Sequence, residues 1–172
     1  GFYNFEMKPW NNVMISGFVM ANKGEKISKS KGNSKVEPID LIAQYSADVI
    51  RYWAGSGRLG TDIVFSDETL QRGRKLINKI WNVSKFVLMN LTDFDPKTAK
   101  EIPVSERFIE DRWVLHELNK AIADTRKNLD KYDNYNARST IDTFFWDIFC
   151  DQYIEFIKDR FWSPEKYSTE SK

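Results

Sequence analysis

A short loop rich in lysine and serine is the segment of this sequence best suited to chemistry on phosphate. Residues 24–33 read Gly-Glu-Lys-Ile-Ser-Lys-Ser-Lys-Gly-Asn, so ammonium groups alternate with hydroxyls between two glycines. Lysines neutralise phosphate oxygens, while hydroxyls and backbone N–H groups donate hydrogen bonds to them. The glycines permit movement, which lets such lysines follow charge as it shifts from a triphosphate to a leaving pyrophosphate. On composition alone, a solvated basic turn is the favoured interpretation of this segment.

Positive charge is concentrated in two zones, although the net charge is only +1. Residues 23–35 hold five lysines, including Lys23 and Lys35, against one glutamate, and residues 69–92 hold five basic residues and no acid. Local fields rather than net charge guide polyanions. The second zone predicts a helix face that binds RNA phosphates, and a solvated helix face fits the same pattern. The Walker order Gly-x4-Gly-Lys-Ser/Thr is not present.

The loop lies between a predicted strand and a predicted helix. Residues 13–20 form an apolar run with β-branched residues, which indicates a buried strand whose partners are either absent from this chain or lie in residues 2–7. After the loop, Pro38 stands in the first turn of a helix, and Ser46 is placed to cap a second short helix. Residues 63–65 are predicted to be extended.

Three long amphipathic helices follow in the predicted order. Ser66 or Asp67 caps the first, which runs to about Asn90, and a polar linker follows. The second and third helices are separated by a turn at residues 130–136, and Ser163-Pro164 ends the third. Because amphipathic helices joined by short loops bury their apolar stripes against each other, the pattern predicts an antiparallel bundle.

The order of residues in the loop carries a family resemblance. Lys26-Ile27-Ser28-Lys29-Ser30, continued by Lys-Gly-Asn, closely resembles the KMSKS motif of class I aminoacyl-tRNA synthetases, with isoleucine in place of methionine. The segments around it, at residues 9–17 and 38–51, resemble those of the class Ia enzymes. The resemblance implies that the loop stabilises the transition state in which ATP and an amino acid form an aminoacyl-adenylate.

The resemblance also assigns residues and partners. It implies Lys26 and Lys29 as catalytic residues that bind ATP, with Ser28 and Ser30 completing the ATP site. It implies Mg²⁺ accompanying ATP and no metal bound by this part of the protein. The expected tRNA-binding residues are Arg72, Arg74, Lys75, Lys79, Trp81, Asn82 and Arg138. For Trp81 the favoured alternative is packing in the core.

Two later segments resemble the valyl branch of the family, at residues 60–65 continued by 78–88, and at 145–155. The implied partners are valine, ATP and valine tRNA, and the isoleucyl and leucyl branches are the alternatives. The implied fold class is mainly α, an antiparallel anticodon-binding bundle preceded by a small α/β part of a Rossmann-like catalytic domain. The predicted division is catalytic domain with its loop at 1–36, connecting helices at 37–66, bundle at 67–163 and polar tail at 164–172.

Some sequence features limit the function. His-x-Gly-His, the other ATP motif of the family, is not in the chain, so this part alone is expected not to charge tRNA. A stand-alone helical RNA-binding module without catalysis and a helical protein-interaction bundle stay as alternatives. No apolar run approaches the roughly 20 residues that span a bilayer.

The single cysteine and single histidine also narrow the possibilities. Cys150 excludes an internal disulfide and favours a reducing compartment, hence a cytoplasmic protein. It is predicted to be a buried thiol, and His116 an ordinary surface or packing residue. The aromatic residues around Cys150 are interpreted as bundle core.

Overall fold

The computed structural model describes residues 2–22, 24–33, 37–92 and 94–167. It begins with a short helix, α1 (Phe2–Phe5), and a small sheet of β1 (Val19–Asn22), β2 (Glu25–Lys26) and β3 (Ile63–Val64). The strand order is β2-β1-β3, with β1 antiparallel to β2 and parallel to β3. The register pairs Met20 with Lys26 on one side of β1 and with Val64 on the other.

The predicted strand at residues 13–20 is wrong in extent and in partner. Val13, Met14 and Ile15 are exposed, and regular pairing begins only at Val19. Residues 2–5, offered as a possible pairing partner, are helical instead. An apolar run shows that a segment is suited to burial, but the ladder forms where another backbone lies alongside, and here that is residues 59–65. The extended prediction at residues 63–65 is confirmed over Ile63–Val64.

Gly17 sets the approach between these two segments. A Cβ atom built there would lie 2.1 Å from the carbonyl oxygen of Thr61, which no side chain tolerates. Just beyond it, the Phe18 N–H donates to Asp62 Oδ1 at 2.8 Å, and the Ile63 N–H donates to the Phe18 carbonyl at 2.9 Å. The glycine therefore allows β1 to run against β3, which fixes the strand that leads into the lysine-serine loop.

The next three helices share a compact core. They are α2 (Pro38–Tyr45), α3 (Ala47–Ala54) and α4 (Asp67–Asn90). Leu41, Val49 and Leu70, one from each helix, are buried together. Gly73 permits the close approach of α4 to α3, since a Cβ there would lie 2.9 Å from Tyr52 Cδ1.

The predicted helix starts are confirmed, but the predicted caps are not. Ser46 and Ser66 precede α3 and α4, yet neither side chain bonds to a helix N–H. Ser46 instead has a positive φ of 83°, which turns the chain sharply between α2 and α3.

The remaining helices are α5 (Ile109–Leu129), α6 (Asn134–Thr143) and α7 (Ile154–Trp162), with a π-helical stretch, Phe144–Tyr153, joining α6 to α7. The third predicted helix is thus continuous but changes its winding in the middle. Asp133 caps it by accepting from the Asn136 N–H at 3.0 Å, so the predicted turn at residues 130–136 ends earlier than expected. The helices form an antiparallel arrangement in which α5 packs on α6 and on the π-helical stretch. The mainly helical fold class is confirmed.

A buried ion cluster joins the two ends of this arrangement. Arg160 on α7 is only 6% exposed, and its guanidinium donates to Glu110 at 2.8 Å and to Asp111 at 2.9 Å, both on α5. The Tyr153 hydroxyl donates to the same Asp111 at 2.9 Å, and Phe108 lies under the guanidinium. Burial and the neighbouring carboxylate raise the pKa of Tyr153, which keeps its hydroxyl as a donor. We refer to these residues as the Arg160 cluster.

The apolar stripes predicted for the long helices are only partly buried. Leu76 on α4 and Val114 on α5 are buried, as is Cys150. Ile122 and Leu129, on the apolar stripe of the second predicted helix, and Ile141 and Phe156, on that of the third, are instead exposed. The chain continues past α7 in a short 3-10 helix, Pro164–Lys166, where a polar tail was predicted. Residues 168–172 of that predicted tail lie outside the described residues.

Candidate functional site

The lysine-serine loop begins at the sheet and turns back on itself. The Ile27 N–H donates to the Val19 carbonyl at 3.0 Å, which ties the start of the loop to β1. Lys29–Lys31 then form a single 3-10 turn, closed by the Lys31 N–H on the Ser28 carbonyl at 3.2 Å. Gly32 follows with a φ of 58°, a left-handed conformation that reverses the chain toward Asn33.

Asn33 closes the loop with its side-chain amide. Its Oδ1 accepts from the Ser28 N–H at 2.8 Å. Its Nδ2 donates to Glu25 Oε1 at 2.9 Å and to the Lys26 carbonyl at 3.0 Å. One side chain thus bonds to the strand before the loop and to the loop itself. We call this arrangement the Asn33 network.

The functional groups of the loop lie close to this network. The Lys26 Nζ lies 3.6 Å from the centre of the Phe18 ring, so its ammonium rests on an aromatic face at the surface. The Ser28 and Ser30 hydroxyls are 2.8 Å apart. The backbone of Lys29 opens the 3-10 turn, and its side chain lies outside the described parts of the structure. Lys23 and Lys35, two lysines of the basic zone, also lie outside the described residues.

The predicted RNA-binding residues of α4 fall into two groups. Arg74, Lys75 and Asn82 are exposed. Trp81 is 68% exposed, so the interpretation of this residue as core is wrong. The buried residues of α4 are Leu70, Gly73 and Leu76, in the first half of the helix, and Trp81 lies beyond them.

Arg72, Lys79 and Arg138 already have partners within the chain. Arg72 pairs with Glu68 one turn away at 2.8 Å. Lys79 is half-buried, with its Nζ 5.9 Å from the centre of the Trp146 ring. The charges of Arg72 and Lys79 therefore already interact with other side chains of the protein.

Arg138 is the most firmly engaged of the predicted set. Its side chain is 23% exposed, pairs with Asp142 at 3.3 Å and lies over the Tyr52 ring. The Tyr52 hydroxyl donates to Asp142 at 2.7 Å, and burial together with that bond raises the pKa of Tyr52 to about 12. The structure therefore gives Arg138 an internal role, joining α6 to α3, that needs no RNA.

The isolated histidine and cysteine behave as predicted. His116 is exposed, and Cys150 is buried. Burial raises the pKa of the Cys150 thiol, which disfavours the reactive thiolate. Its aromatic neighbours are half-buried and contact one another, with the Phe149 and Tyr153 rings stacked at 5.9 Å.

In residues 2–22, 24–33, 37–92 and 94–167, no group of three or more His, Cys, Asp or Glu side chains is arranged to hold a metal ion. Over the same ranges, no helix has the length and apolar character needed to cross a membrane.

Comparison with known families identifies two segments of the chain. Residues 2–66 match the family described as tRNA synthetases class I (I, L, M and V), and residues 111–171 match the anticodon-binding domain of tRNA ligase. The first match contains the sheet and the lysine-serine loop, and the second contains most of α5 and all of α6 and α7.

Several curated relatives are named valine–tRNA ligase. A valine–tRNA ligase of Ehrlichia ruminantium (strain Gardel) is 42% identical over 172 residues, which is 99% of this chain and 20% of the relative. The ligase of Rickettsia felis is 40% identical over 162 residues, covering 91% of this chain and 19% of the relative. The ligase of Wolbachia pipientis wMel is 38% identical over 170 residues, covering 99% and 19% respectively. The chain thus spans about one fifth of the length of these relatives.

A solved structure shares the fold. A LeuRS of Agrobacterium radiobacter, in a ternary complex with tRNA and LeuAMS, matches with a TM-score of 0.63 at 23% identity, covering 75% of this chain and 16% of that one. At this identity the match concerns the fold alone. Together, the two family matches and the relatives show that the chain belongs to the class I tRNA synthetases, as a segment homologous to valine–tRNA ligases.

Proposed function

We propose that this chain is the segment of a valine–tRNA ligase that supplies the ATP loop and the anticodon-side tRNA surface. The observation that carries the proposal is 42% identity to a valine–tRNA ligase over 99% of the chain, with the lysine-serine loop inside the aligned segment. The whole ligase would activate valine with ATP and charge valine tRNA. The named relatives favour valine over isoleucine or leucine, and the single, buried cysteine fits a cytoplasmic location.

The first reaction defines what the loop must do. An oxygen of the valine carboxylate forms a bond to the α-phosphorus of ATP, and the bond from that phosphorus to the bridging oxygen breaks. Pyrophosphate leaves with the electron pair, and valyl-adenylate remains. Negative charge therefore grows on the leaving group during the reaction, and cations that meet it there lower the barrier.

Lys26 and Lys29 are the proposed cations, with Ser28 and Ser30 as donors to phosphate oxygens. Lys26 rests on Phe18 at the surface, a contact that a phosphate can replace because a cation–π contact at an exposed site is worth only about 0.5–1 kcal/mol. The paired hydroxyls of Ser28 and Ser30 already face each other, so either can turn its proton toward an incoming oxygen. Mg²⁺ would accompany ATP, and among the described residues no group of three or more His, Cys, Asp or Glu side chains is arranged to hold it.

The domain boundaries form part of the same proposal. We infer a catalytic segment at residues 1–36, connecting helices at 37–66, an anticodon-binding bundle at 67–163 and a tail at 164–172. The family matches support a change of unit between residues 66 and 111. The shared core of Leu41, Val49 and Leu70 packs α4, the first helix of the proposed bundle, against the connecting helices.

Lys29→Ala in the full-length ligase tests the loop assignment. We expect adenylate formation to slow by about 100-fold or more, with a much smaller change in the KM for ATP, because the charge it meets develops only in the transition state. Pyrophosphate exchange and single-turnover kinetics measure the two quantities. Lys97→Ala, which removes an exposed lysine of the linker, is the matched control. Unchanged turnover in Lys29→Ala contradicts the assignment.

The tRNA surface is proposed to centre on the exposed part of α4. Arg74 and Lys75 would contact phosphates, Trp81 would stack on an unpaired base, and Asn82 would read a base edge. Arg72, Lys79 and Arg138 stay in the proposed set as weaker contributors, because each has an internal partner.

Salt-dependent binding of valine tRNA tests this surface. We expect Arg74→Ala with Lys75→Ala to weaken binding and to reduce the slope of log affinity against log salt by about 1–2, because each phosphate contact contributes roughly 1. Lys97→Ala with Lys100→Ala removes the same charge from the exposed linker and serves as the control. Equal effects in the two double variants would show that net charge, not this surface, governs binding.

A further inference from the structure

The Asn33 network gives the loop an organising residue. Asn33 is half-buried, and its amide bonds to Ser28, Glu25 and Lys26 at 2.8 to 3.0 Å. Lys26 and Ser28 are the same residues whose side chains are proposed to meet ATP. The network therefore fixes the backbone from which those side chains project.

An amide is the group that this position requires. Ser28 offers an N–H and needs an acceptor, while Glu25 and the Lys26 carbonyl need a donor. A carboxylate accepts but cannot donate, and it would repel Glu25. A serine is too short to reach both sides. The amide of asparagine or glutamine carries an acceptor oxygen and an NH₂ donor on the same carbon, and the shorter asparagine side chain makes all three bonds here.

The position of β2 explains why the network is needed. β2 is two residues long and lies at the edge of the sheet, so within the described part of the chain no strand pairs with its other side. The Asn33 side chain supplies a donor to the Lys26 carbonyl on this short strand. The pairing of β2 with β1 and the Ile27 to Val19 bond also hold the start of the loop, whereas the Asn33 side chain connects that start to Ser28.

We propose that Asn33 is a positioning residue for adenylate formation, and this rests on the proposed function of the loop. It holds the backbone of Lys26 and Ser28 in place while the 3-10 turn, Lys29–Lys31, moves with the phosphates. A misplacement of about 1 Å at such a site costs as much as 100-fold in rate. Asn33 touches neither substrate in this role.

The test compares Asn33→Ala with Lys29→Ala in the full-length ligase. We expect Asn33→Ala to slow single-turnover adenylate formation by about 10-fold to 100-fold, with the KM for valine unchanged and the thermal midpoint within about 2 °C of the parent. Asn90→Ala is the matched control, since Asn90 is also a half-buried asparagine whose Nδ2 donates to a backbone carbonyl, that of Phe86, at 2.8 Å. Its rate should equal that of the parent.

Two substitutions that exchange the carboxylate and the amide between positions 25 and 33 give a second test, and a merely structural role for Asn33 would not predict its result. Asn33→Asp should be slow, because its carboxylate faces Glu25. Adding Glu25→Gln restores a bond with donor and acceptor exchanged, so the double variant should be at least about threefold faster than Asn33→Asp alone. This comparison also decides the matter if Asn33→Ala fails to fold.

The outcomes separate the two proposals. If Lys29→Ala is slow and Asn33→Ala reacts at the parent rate, the positioning role is overturned and the loop function stands. If neither variant is slow, the loop function itself is overturned. If Glu25→Gln gives no recovery to Asn33→Asp, the Glu25 contact is not part of the positioning, and the proposal fails in that form.

Discussion

The Asn33 network and the Arg160 cluster are both polar, yet they hold the chain by different means. Asn33 is neutral, half-buried and bonds within a span of a few residues. Arg160 is charged, 6% exposed, and bonds to Glu110 and Asp111 roughly 50 residues away along the chain.

The difference follows from the cost of burying charge. A buried guanidinium is tolerated only when carboxylates and hydrogen bonds compensate for its lost hydration, so the Arg160 cluster permits one arrangement of α5 and α7. Neutral amide bonds at a partly exposed loop contribute only about 0.5–1.5 kcal/mol each, because water replaces them readily. Weak neutral bonds like those of the Asn33 network suit a loop that has to follow moving phosphates. A buried ion cluster like that of Arg160 suits a fixed arrangement of helices.

Arg160→Ala should produce the largest loss of stability among these changes. It leaves Glu110 and Asp111 partly buried without their cation, and breaking such a pair costs about 3 kcal/mol or more. Urea denaturation of the chain, followed by circular dichroism, measures the fall in the free energy of unfolding.

Arg72→Ala is the matched control for that measurement. Arg72 pairs with Glu68 at the same 2.8 Å as Arg160 with Glu110, but the Arg72 and Glu68 side chains are 71% and 74% exposed. An exposed pair contributes about 0–1 kcal/mol, so this variant should unfold almost as the parent does. Similar losses in the two arginine variants would refute the distinction drawn between buried and exposed networks.

The helical part of the fold was largely predictable from sequence, because its signals are local. Pro38 marks a helix start through its fixed φ, and the 3.6-residue spacing of leucine and isoleucine marks α4. The π-helical stretch, Phe144–Tyr153, has no such signal, since its residues fit an ordinary helix equally well. The short β1 was misjudged because apolar residues 13–18 do not reveal which of them meets a partner strand.

In the candidate site, too, the features with a local sequence signal were predictable and those that depend on packing were not. Lys26, Ser28 and Ser30 were identified by type and order, and the structure brings the two hydroxyls together. The sequence indicates Asn33 only as part of the motif and as half of a Gly-Asn turn pair, and neither signal predicts its three hydrogen bonds. The Arg160 cluster and the Tyr52–Asp142 bond were missed, because each joins residues far apart in sequence and depends on how helices pack.

Lowering the pH should weaken the Arg160 cluster but not the Asn33 network, and the loss of stability should be smaller than that caused by Arg160→Ala. Burial raises the pKa of Glu110, but its own backbone N–H and Arg160 outweigh this, and the net pKa lies below the ordinary 4.5. A carboxyl whose pKa is lowered on folding contributes stability above its unfolded pKa, and that contribution is lost as the pH falls through its folded pKa. The urea midpoint of the chain should therefore decline as the pH is lowered below about 4.5.

Glu110→Gln isolates the part of this decline that belongs to the Arg160 cluster. The variant starts less stable at neutral pH, because Arg160 loses one of its two charged partners, but its midpoint should fall less steeply on acidification. Asn33→Ala should keep the parent's slope, since an amide does not titrate. Urea titrations at about pH 6 and about pH 3.5 on all three proteins measure the slopes. If Glu110→Gln declines in parallel with the parent, the cluster does not contribute to acid sensitivity, and the contrast between the networks rests on burial alone.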